Sequence, residues 1–323
     1  MTAIVLTPNL RGALWMLASA VGFTAMTTLI KYLGPGYPAA LQTFYRQLAG
    51  VLILLPLMAR DWRGTFRTTR PGILIFRSSA GVLALILSFY AYQELPLADA
   101  NALSFTRTLW LVPFAGLILR EPIGPLRIGA AVVGFIGVLV MLQPAADGSG
   151  GWVGWPQAAA LAAALLFALT ITGMKVMTRD HSPFTLLVYA AVLGLVFSIP
   201  PALFVWRWPS WPDLGLRAAM GVIGTLTQGA YIKGMQLGEA AVMAPIDYTR
   251  LVFAVLAGFL LFHEVPKMVT LIGAVIVVGS TLFISWREHQ LSKRAAVVDQ
   301  PPESRRRHST NLWSPSASLT RGL

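Results

Sequence analysis

The 323-residue chain contains no cysteine and few charged residues, which make up 12% of the sequence. The lack of cysteine excludes disulfides, thiol catalysis and Cys-ligated zinc. No GxxxxGK[ST] loop, HExxH or GxSxG motif occurs, so no ATPase, zinc-protease or serine-hydrolase site is indicated. Hydrophobic residues make up 56% of the chain and the mean hydropathy is +0.66, more apolar surface than a soluble chain of this length buries. A lipid bilayer is the expected environment.

The net charge of +12 does not indicate a nucleic-acid partner, because the basic residues lie between apolar runs instead of on one soluble face. The four histidines are scattered, and no metal or other cofactor is expected. An intramembrane enzyme would need paired carboxylates, a metal cluster or a Ser-base pair at membrane depth, whereas Asp247 is the one acid clearly within a span. The chain is therefore not expected to be an enzyme. A channel or a membrane scaffold remains an alternative to a carrier.

Ten apolar runs are each long enough to span a bilayer, which takes about 20 residues. The first lacks the basic leader of a signal peptide and is counted as a span. Pro, Gly or charged clusters bound the runs. They start near Arg11, Pro38, Gly72, Leu97, Leu126, Pro156, Pro183, Leu214, Ala240 and Val269.

The distribution of basic residues predicts that both termini lie in the cytoplasm and that the chain sits in the inner (cytoplasmic) membrane. With this orientation most loop arginines and lysines are cytoplasmic, as the positive-inside rule requires. The opposite side receives only Lys31, Arg207, Arg217 and Lys267. Residues 288–323 are rich in Ser, Pro and Arg and are expected to form a disordered basic cytoplasmic tail.

The two halves of the chain resemble each other. The segment "FTRTLWLVPFAGLILRE" (105–121) matches "YTRLVFAVLAGFLLFHE" (248–264) with an offset of 143, and "FTAMTTLIK" (23–31) matches "FALTITGMK" (167–175). The halves are residues 10–143 and 155–287, joined by a Gly-rich linker at 144–154. Each half holds five spans, and because five is odd the halves must have opposite orientations. The expected fold is an all-α membrane protein with ten transmembrane helices in two inverted five-helix repeats, an architecture that secondary transporters use for alternating access.

These features resemble the EamA-like branch of the drug/metabolite transporter superfamily over about residues 10–287. The resemblance rests on the two five-span repeats, on the fourth helix of each repeat ending in "LxxxE" (117–121 and 260–264), and on the Gly-rich fifth helices "IGAAVVGFIGVLVML" and "LIGAVIVVGSTLFIS". It implies a membrane transporter of small organic molecules. Relatives carry amino acids, nucleotide-type metabolites, vitamins or drugs, so the resemblance does not fix the substrate.

Four arginines, Arg46, Arg77, Arg107 and Arg250, lie within the predicted spans. Each costs roughly 2.5 to 3.5 kcal/mol at the membrane centre, so they are not expected to face lipid. Asp247 lies three residues before Arg250 and predicts an ion pair on one helical face. Arg46 and Arg77 either snorkel to an interface or line a cavity. Arg107 has no evident anion and is expected to face a polar cavity.

The candidate substrate-binding residues are the intramembrane arginines together with polar and aromatic residues at helical spacing around them. For the Ser, Thr and Asn residues, interhelical packing is the alternative, and Trp110 and Tyr248 either stack on a planar ligand or pack in the core. The set is Arg46, Arg77, Ser88, Tyr92, Asn101, Ser104, Arg107, Thr108, Trp110, Gln228, Tyr231, Asp247, Tyr248 and Arg250.

Outside this set, Glu121 and Glu264 are expected to cap helices or to pair with nearby basic residues. The Gly-rich fifth and tenth spans predict close helix packing, and the chain is expected to be a monomer or a homodimer.

The excess of positive charge favours a small solute with a carboxylate or phosphate, which arginine binds bidentately. An amino acid or related metabolite is expected, and the resemblance favours export. The alternatives are uptake of a nucleoside-type metabolite or vitamin, such as an S-adenosylmethionine-like or riboflavin-like solute, and multidrug efflux. Proton coupling through Asp247 and solute exchange both remain open.

Overall fold

The structure is a computed structural model that describes residues 8–60, 68, 70–120, 123–142, 154–177 and 183–298. Its described residues form twelve α-helices and no strand, so the all-helical fold is confirmed. Helices begin within three residues of all ten predicted starts. The helices are α1 (Pro8–Leu33), α2 (Ala39–Arg60), α3 (Pro71–Glu94), α4 (Leu97–Ser104), α5 (Thr106–Leu117), α6 (Pro125–Met141), α7 (Trp155–Met177), α8 (Pro183–Phe204), α9 (Trp211–Leu237), α10 (Ala240–Asp247), α11 (Thr249–Phe262) and α12 (Met268–Val298).

Six segments of the described chain are long and apolar enough to cross a membrane by length and composition. They lie in α1, α3, α7, α8, α10 with α11, and α12. α2 and α9 are as long but carry charged residues, among them Arg46 in α2 and Arg217 and Lys233 in α9. Composition therefore supports six membrane crossings among the described residues, which is fewer than the ten predicted from the sequence. Ten crossings remain a prediction.

Two of the predicted spans are each interrupted at one residue, which the sequence did not indicate. Phe105 separates α4 from α5, and Tyr248, 143 residues later, separates α10 from α11. After each break a threonine hydroxyl donates to the carbonyl three residues back: Thr106 to Leu103 and Thr249 to Ile246, both at 2.7 Å. Such side-chain bonds compete with the backbone hydrogen bonds of a helix. The aromatic-Thr-Arg motif therefore ends one helix and begins the next, with the arginine in the first turn.

A second backbone feature recurs with the same offset. Arg120 and His263 are the two described non-glycine residues with positive φ, at 54° and 55°. This left-handed conformation is uncommon outside glycine and turns the chain sharply. Each residue directly precedes the glutamate of the "LxxxE" corner. Helix packing also pairs the two halves. α1 of the first half packs along α9 of the second half, and α3 of the first half packs along α7 of the second half.

The Gly-rich helices α6 and α12 pack closely against each other, as the sequence predicted. A Cβ added to Gly273 would lie 2.6 Å from the carbonyl oxygen of Gly137, and one added to Gly137 would lie 2.9 Å from the carbonyl oxygen of Gly273. Only glycine permits this approach of two backbones. The contact lies within one chain and needs no dimer.

One boundary differs from the prediction. α12 continues through Val298, into the segment that was expected to be disordered from residue 288. The stretch "QLSKRAAVV" contains good helix formers and no Pro or Gly, so it extends the preceding helix through Val298. Residues 299–323, the linker at 144–153 and Glu121 lie outside the described residues.

A candidate anion-binding site at two helix breaks

Arg107 and Arg250 lie at equivalent positions after the two helix breaks and share one carboxylate. Nη2 of Arg107 lies 3.6 Å from Oδ2 of Asp247, and Nη2 of Arg250 lies 3.7 Å from the same oxygen. The predicted Asp247–Arg250 pair is therefore confirmed. The expectation that Arg107 has no protein anion is wrong, because packing of α10 against the first half brings Asp247 to it.

The two contacts are longer than hydrogen bonds, which span about 2.7–3.2 Å between heavy atoms. Nε and Nη2 of Arg250 have no hydrogen-bond acceptor among the described residues. The side chain of Arg107 is 25% exposed, that of Asp247 16% and that of Arg250 4%. One carboxylate between two guanidinium groups leaves a net charge of +1. The arginines therefore retain donors for a second anion, and Arg107 is the more accessible of the two.

Aromatic rings surround the buried arginine. Cζ of Arg250 lies 4.3 Å from the ring centroid of Phe105 and 4.8 Å from that of Phe23. Ring faces attract a guanidinium by about 2 kcal/mol or more when water is excluded, which offsets part of the cost of burial. The ring of Phe105 also packs on that of Tyr248, with centroids 4.6 Å apart. The sequence prediction missed Phe23 and Phe105, although both occupy the aromatic positions of the repeated motifs.

Polar groups complete the cluster. The hydroxyl of Tyr92 lies 3.5 Å from Oδ1 of Asn101, and Ser104 donates to the Asn101 carbonyl oxygen at 2.7 Å. Tyr231 lies within electrostatic range of Arg250, and the Tyr248 hydroxyl interacts with Thr108. Of the predicted site residues, the structure brings nine together: Tyr92, Asn101, Ser104, Arg107, Thr108, Tyr231, Asp247, Tyr248 and Arg250.

For the other five predicted residues, the described part of the chain shows no contact with this cluster. Arg77 donates from Nε to the Thr170 carbonyl oxygen at 3.3 Å, so it joins α3 to α7. Trp110 packs edge-on against Phe135 of α6, with centroids 4.8 Å apart. The remaining three are Arg46, which lies between α2 and α9, Gln228, which is exposed, and Ser88, which is half-buried.

A second group of contacts joins the two halves at one end of the bundle, which we call the Tyr37 face. It comprises the loops 34–38 and 205–210, the end of α1 and the end of α11. Lys31 pairs with the carboxylate of Glu264 and donates to the Leu95 carbonyl oxygen at 2.6 Å. Oε2 of Glu264 also accepts the backbone N–H of Leu97 at 2.8 Å, at the start of α4. Glu264 therefore both caps a helix and pairs with a base, as predicted.

The loops of this face are also bonded to each other. The Tyr37 hydroxyl donates to Oδ2 of Asp213, and Nη1 of Arg207 donates to the Gly36 carbonyl oxygen at 3.1 Å. The hydrogen bond to Asp213 is the main cause that raises the pKa of Tyr37 above its ordinary value. Hydrogen bonds from Ser210 and then from Tyr37 lower the pKa of Asp213. Tyr37 and Gly36 belong to the first half and their partners to the second, so the Tyr37 face is closed in this structure.

Comparison with known proteins agrees with this architecture. Over 285 residues, 88% of this chain and 96% of the relative, the sequence is 31% identical to an S-adenosylmethionine uptake transporter of Rickettsia conorii. It is 30% identical to a riboflavin transporter of Vibrio cholerae, with 88% of this chain and 96% of the relative covered. A pseudopaline exporter of Pseudomonas aeruginosa is 27% identical, with 85% and 95% covered. The profile of the EamA-like transporter family matches residues 10–143 and again residues 154–286. The chain therefore belongs to the EamA-like transporter family and is a multi-pass membrane transporter, in agreement with the expectation that it is not an enzyme.

Proposed function

We propose that this transporter carries a small amino-acid-type metabolite whose carboxylate binds Arg107 and Arg250. One observation carries the proposal: two arginines from equivalent positions of the halves meet at one shared carboxylate. Interrupted helices with ligand groups at the break are also a device of secondary transporters. The solute's carboxylate supplies the negative charge that the cluster lacks.

The topology that we propose has ten crossings in two inverted five-helix repeats. α4 with α5 and α10 with α11 then each count as one crossing, about 30 Å long at 1.5 Å per residue. The repeated break, the repeated left-handed corner and the two matches of the family profile support this. The proposed site is the inner membrane, with both termini in the cytoplasm. The Tyr37 face then lies outside, and Trp206 and Trp208 there suit a membrane interface.

The proposed solute also carries an ammonium group and a planar ring. Asp247 can hold an ammonium, and the Tyr248 and Tyr92 side chains offer aromatic surface beside it. S-adenosylmethionine combines a carboxylate, an ammonium, a positively charged sulfonium and an adenine ring, and the Rickettsia relative is named for its uptake. We therefore propose uptake of a solute of this class. Export is the second candidate, because the Pseudomonas relative is an exporter.

The test is ligand-induced thermal stabilisation of the detergent-purified protein. The panel contains S-adenosylmethionine, S-adenosylhomocysteine, methionine, riboflavin and a cation without carboxylate. A ligand at 100 times its Kd stabilises by about 2.7 kcal/mol, which shifts the unfolding midpoint measurably. We expect the carboxylate-bearing nucleosides to stabilise the wild type and this shift to vanish in Arg107→Gln.

Arg77→Gln is the matched control. It makes the same charge change in a membrane helix, but Arg77 binds a backbone carbonyl away from the cluster. The ligand-induced shift should persist in this variant. Stabilisation by the cation or by riboflavin alone, unchanged in Arg107→Gln, would contradict the proposed substrate class. Loss of the shift in both variants would contradict the assignment of the carboxylate to Arg107.

A further inference from the structure

Arg217, in the second turn of α9, is fully buried at 0% exposure. Its Cζ lies 3.7 Å from the ring centroid of Tyr37 and 4.7 Å from that of Tyr45. None of its three guanidinium nitrogens finds a hydrogen-bond acceptor in the described part of the chain. Ring faces attract the charge without accepting directed N–H bonds from all of these donors. The guanidinium therefore keeps its capacity to bind an anion.

The nearest acid does not fulfil this role. Asp213 lies one turn earlier on α9, yet its carboxylate accepts from Tyr37 and, at 2.5 Å, from the Ser210 hydroxyl. The Tyr37 side chain thus has two functions at this face. It covers Arg217 with its ring and holds the acid with its hydroxyl. Separation of Tyr37 from Asp213 would uncover a guanidinium whose nitrogens have no hydrogen-bond acceptor among the described residues.

A second arginine follows along the same helix. A Cβ added to Gly224 would lie 3.4 Å from Nε of Arg46, so this glycine makes room for the Arg46 side chain against α9. Nη1 of Arg46 donates to the Gln47 side chain at 2.9 Å, but its Nε has no acceptor among the described residues. A merely structural arginine in this fold is bonded differently, as Arg77 is to a carbonyl of the neighbouring helix.

The positions are evenly spaced. Gly224, beside Arg46, comes seven residues after Arg217, and Tyr231, within electrostatic range of Arg250, comes seven residues later still. Seven residues are almost two helical turns, so the three positions lie along one side of α9 and about 10 Å apart. Unsatisfied guanidinium groups therefore follow one another from the Tyr37 face to the central site.

We propose that Arg217 and Arg46 are successive binding positions for the carboxylate of the transported solute, on an access path along α9 between the Tyr37 face and the central arginines. The inference rests on the proposed function, because it needs a solute that carries a carboxylate. In the closed form the Tyr37 ring blocks the path. When Tyr37 and Gly36 separate from Asp213 and Arg207, Arg217 becomes accessible to the solute.

The test compares transport with binding in Arg217→Gln. Uptake of labelled S-adenosylmethionine is measured in vesicles of phosphatidylcholine alone, which excludes anionic lipid as the bound group. Loss of one charge-assisted contact on the path should lower Vmax/KM about tenfold. The Kd at the central site, measured by thermal stabilisation, should stay within about twofold of the wild-type value, because the central residues are intact. Arg11→Gln, with the same charge change at the start of α1, should transport as the wild type does.

A direct measurement on Arg217 covers the case in which Arg217→Gln does not fold. Tyr37→Ala should uncover the guanidinium, so that phenylglyoxal modifies Arg217, as read by mass spectrometry. S-adenosylmethionine should slow this modification. Wild-type Vmax/KM in Arg217→Gln, or modification that the solute does not slow, would overturn the inference while the central site stands. Equal weakening of central binding and uptake would make Arg217 structural and also overturn it. If no solute of the panel stabilises the wild type, the proposed function and this inference fail together.

Discussion

The contact between Lys31 and Glu264 joins the halves of the chain at the Tyr37 face and should make a measurable contribution to stability. The two side chains are 13% and 17% exposed. Glu264 makes two interactions, the ion pair with Lys31 and the hydrogen bond from the Leu97 N–H. Lys31 keeps its hydrogen bond to the Leu95 carbonyl oxygen when the carboxylate of Glu264 is removed. Glu264→Ala should therefore cost more than Lys31→Met, because it leaves the first N–H of α4 without its acceptor.

The magnitude follows from these contacts. Breaking a fully buried pair costs about 3–5 kcal/mol and an exposed pair about 0–1 kcal/mol, so this partly exposed pair lies between. We expect Glu264→Ala to lower the free energy of unfolding by about 3 kcal/mol, which includes the loss of one hydrogen bond to a charged group. Lys31→Met should lose about 2 kcal/mol, since the carboxylate keeps its backbone donor. The two changes share one pair, so the double variant should lose less than the sum by about 1–2 kcal/mol.

Thermal unfolding of the detergent-purified protein, followed by tryptophan fluorescence, measures the cycle. At roughly 2–4 °C per kcal/mol, Glu264→Ala should lower the midpoint by roughly 6–12 °C. The exposed Glu94, at the end of α3, supplies the control as Glu94→Ala, which removes the same charge from the same face. A coupling below about 0.5 kcal/mol would refute the reasoning, since contacting residues must couple more strongly than that. So would a control variant that is as unstable as Glu264→Ala.

Two further outcomes are expected from the close packing and from the loop contact. Gly273→Ala should cost about 1–3 kcal/mol in the same unfolding assay, because its Cβ meets the backbone of α6. Gly129→Ala should be tolerated, because a Cβ there has no atom within 4 Å. Equal unfolding midpoints for the two variants would contradict the close packing of α6 against α12. The contact between Tyr37 and Asp213 should be insensitive to pH between about 5 and 9, because the acid is ionised above its ordinary pKa of about 3.9 and the phenol is protonated below about 10. Since the contact lowers the pKa of Asp213 and raises that of Tyr37, the stability it adds is lost only as the pH falls through the lowered value or rises through the raised one. The difference in unfolding midpoint between the wild type and Tyr37→Phe measures it, and a difference that changes between pH 5 and 9 would show that these groups do not control the contact.

The sequence predicted those features that depend on neighbours along the chain. Helix starts coincide with Pro and Gly, and six of the described helices have a proline at their first or second residue, which is preorganised for helix. The Asp247–Arg250 pair follows from a spacing of three. The repeat, read from "FTR" and "YTR", correctly marked two equivalent positions. The break at each motif was missed, because it involves one residue between two apolar helices, which a count of apolar residues does not register.

Features that depend on helix packing could not be predicted. Periodicity places Arg77 and Tyr92 near one face of α3, but this helix packs against α7 over part of its length, so Arg77 contacts Thr170 while Tyr92 reaches the centre. Arg217 was counted only as a charge on the outer side of the membrane. Its burial depends on Tyr37, which lies 180 positions earlier in the sequence and belongs to the other half. No local pattern connects the two.

The partners of the intramembrane arginines explain why the central site, and not Arg77, should bind the solute. Arg77 is bonded to a carbonyl of α7, and Arg250 is enclosed by two rings and one carboxylate. Arg107 shares that carboxylate at 3.6 Å and is the more exposed of the pair. Insertion costs roughly 2.5 to 3.5 kcal/mol for each arginine, and one acid cannot neutralise two. An incoming carboxylate removes this imbalance, whereas a cation without a carboxylate adds to it. We therefore expect the proposed site to favour a solute with a carboxylate over a cation that lacks one.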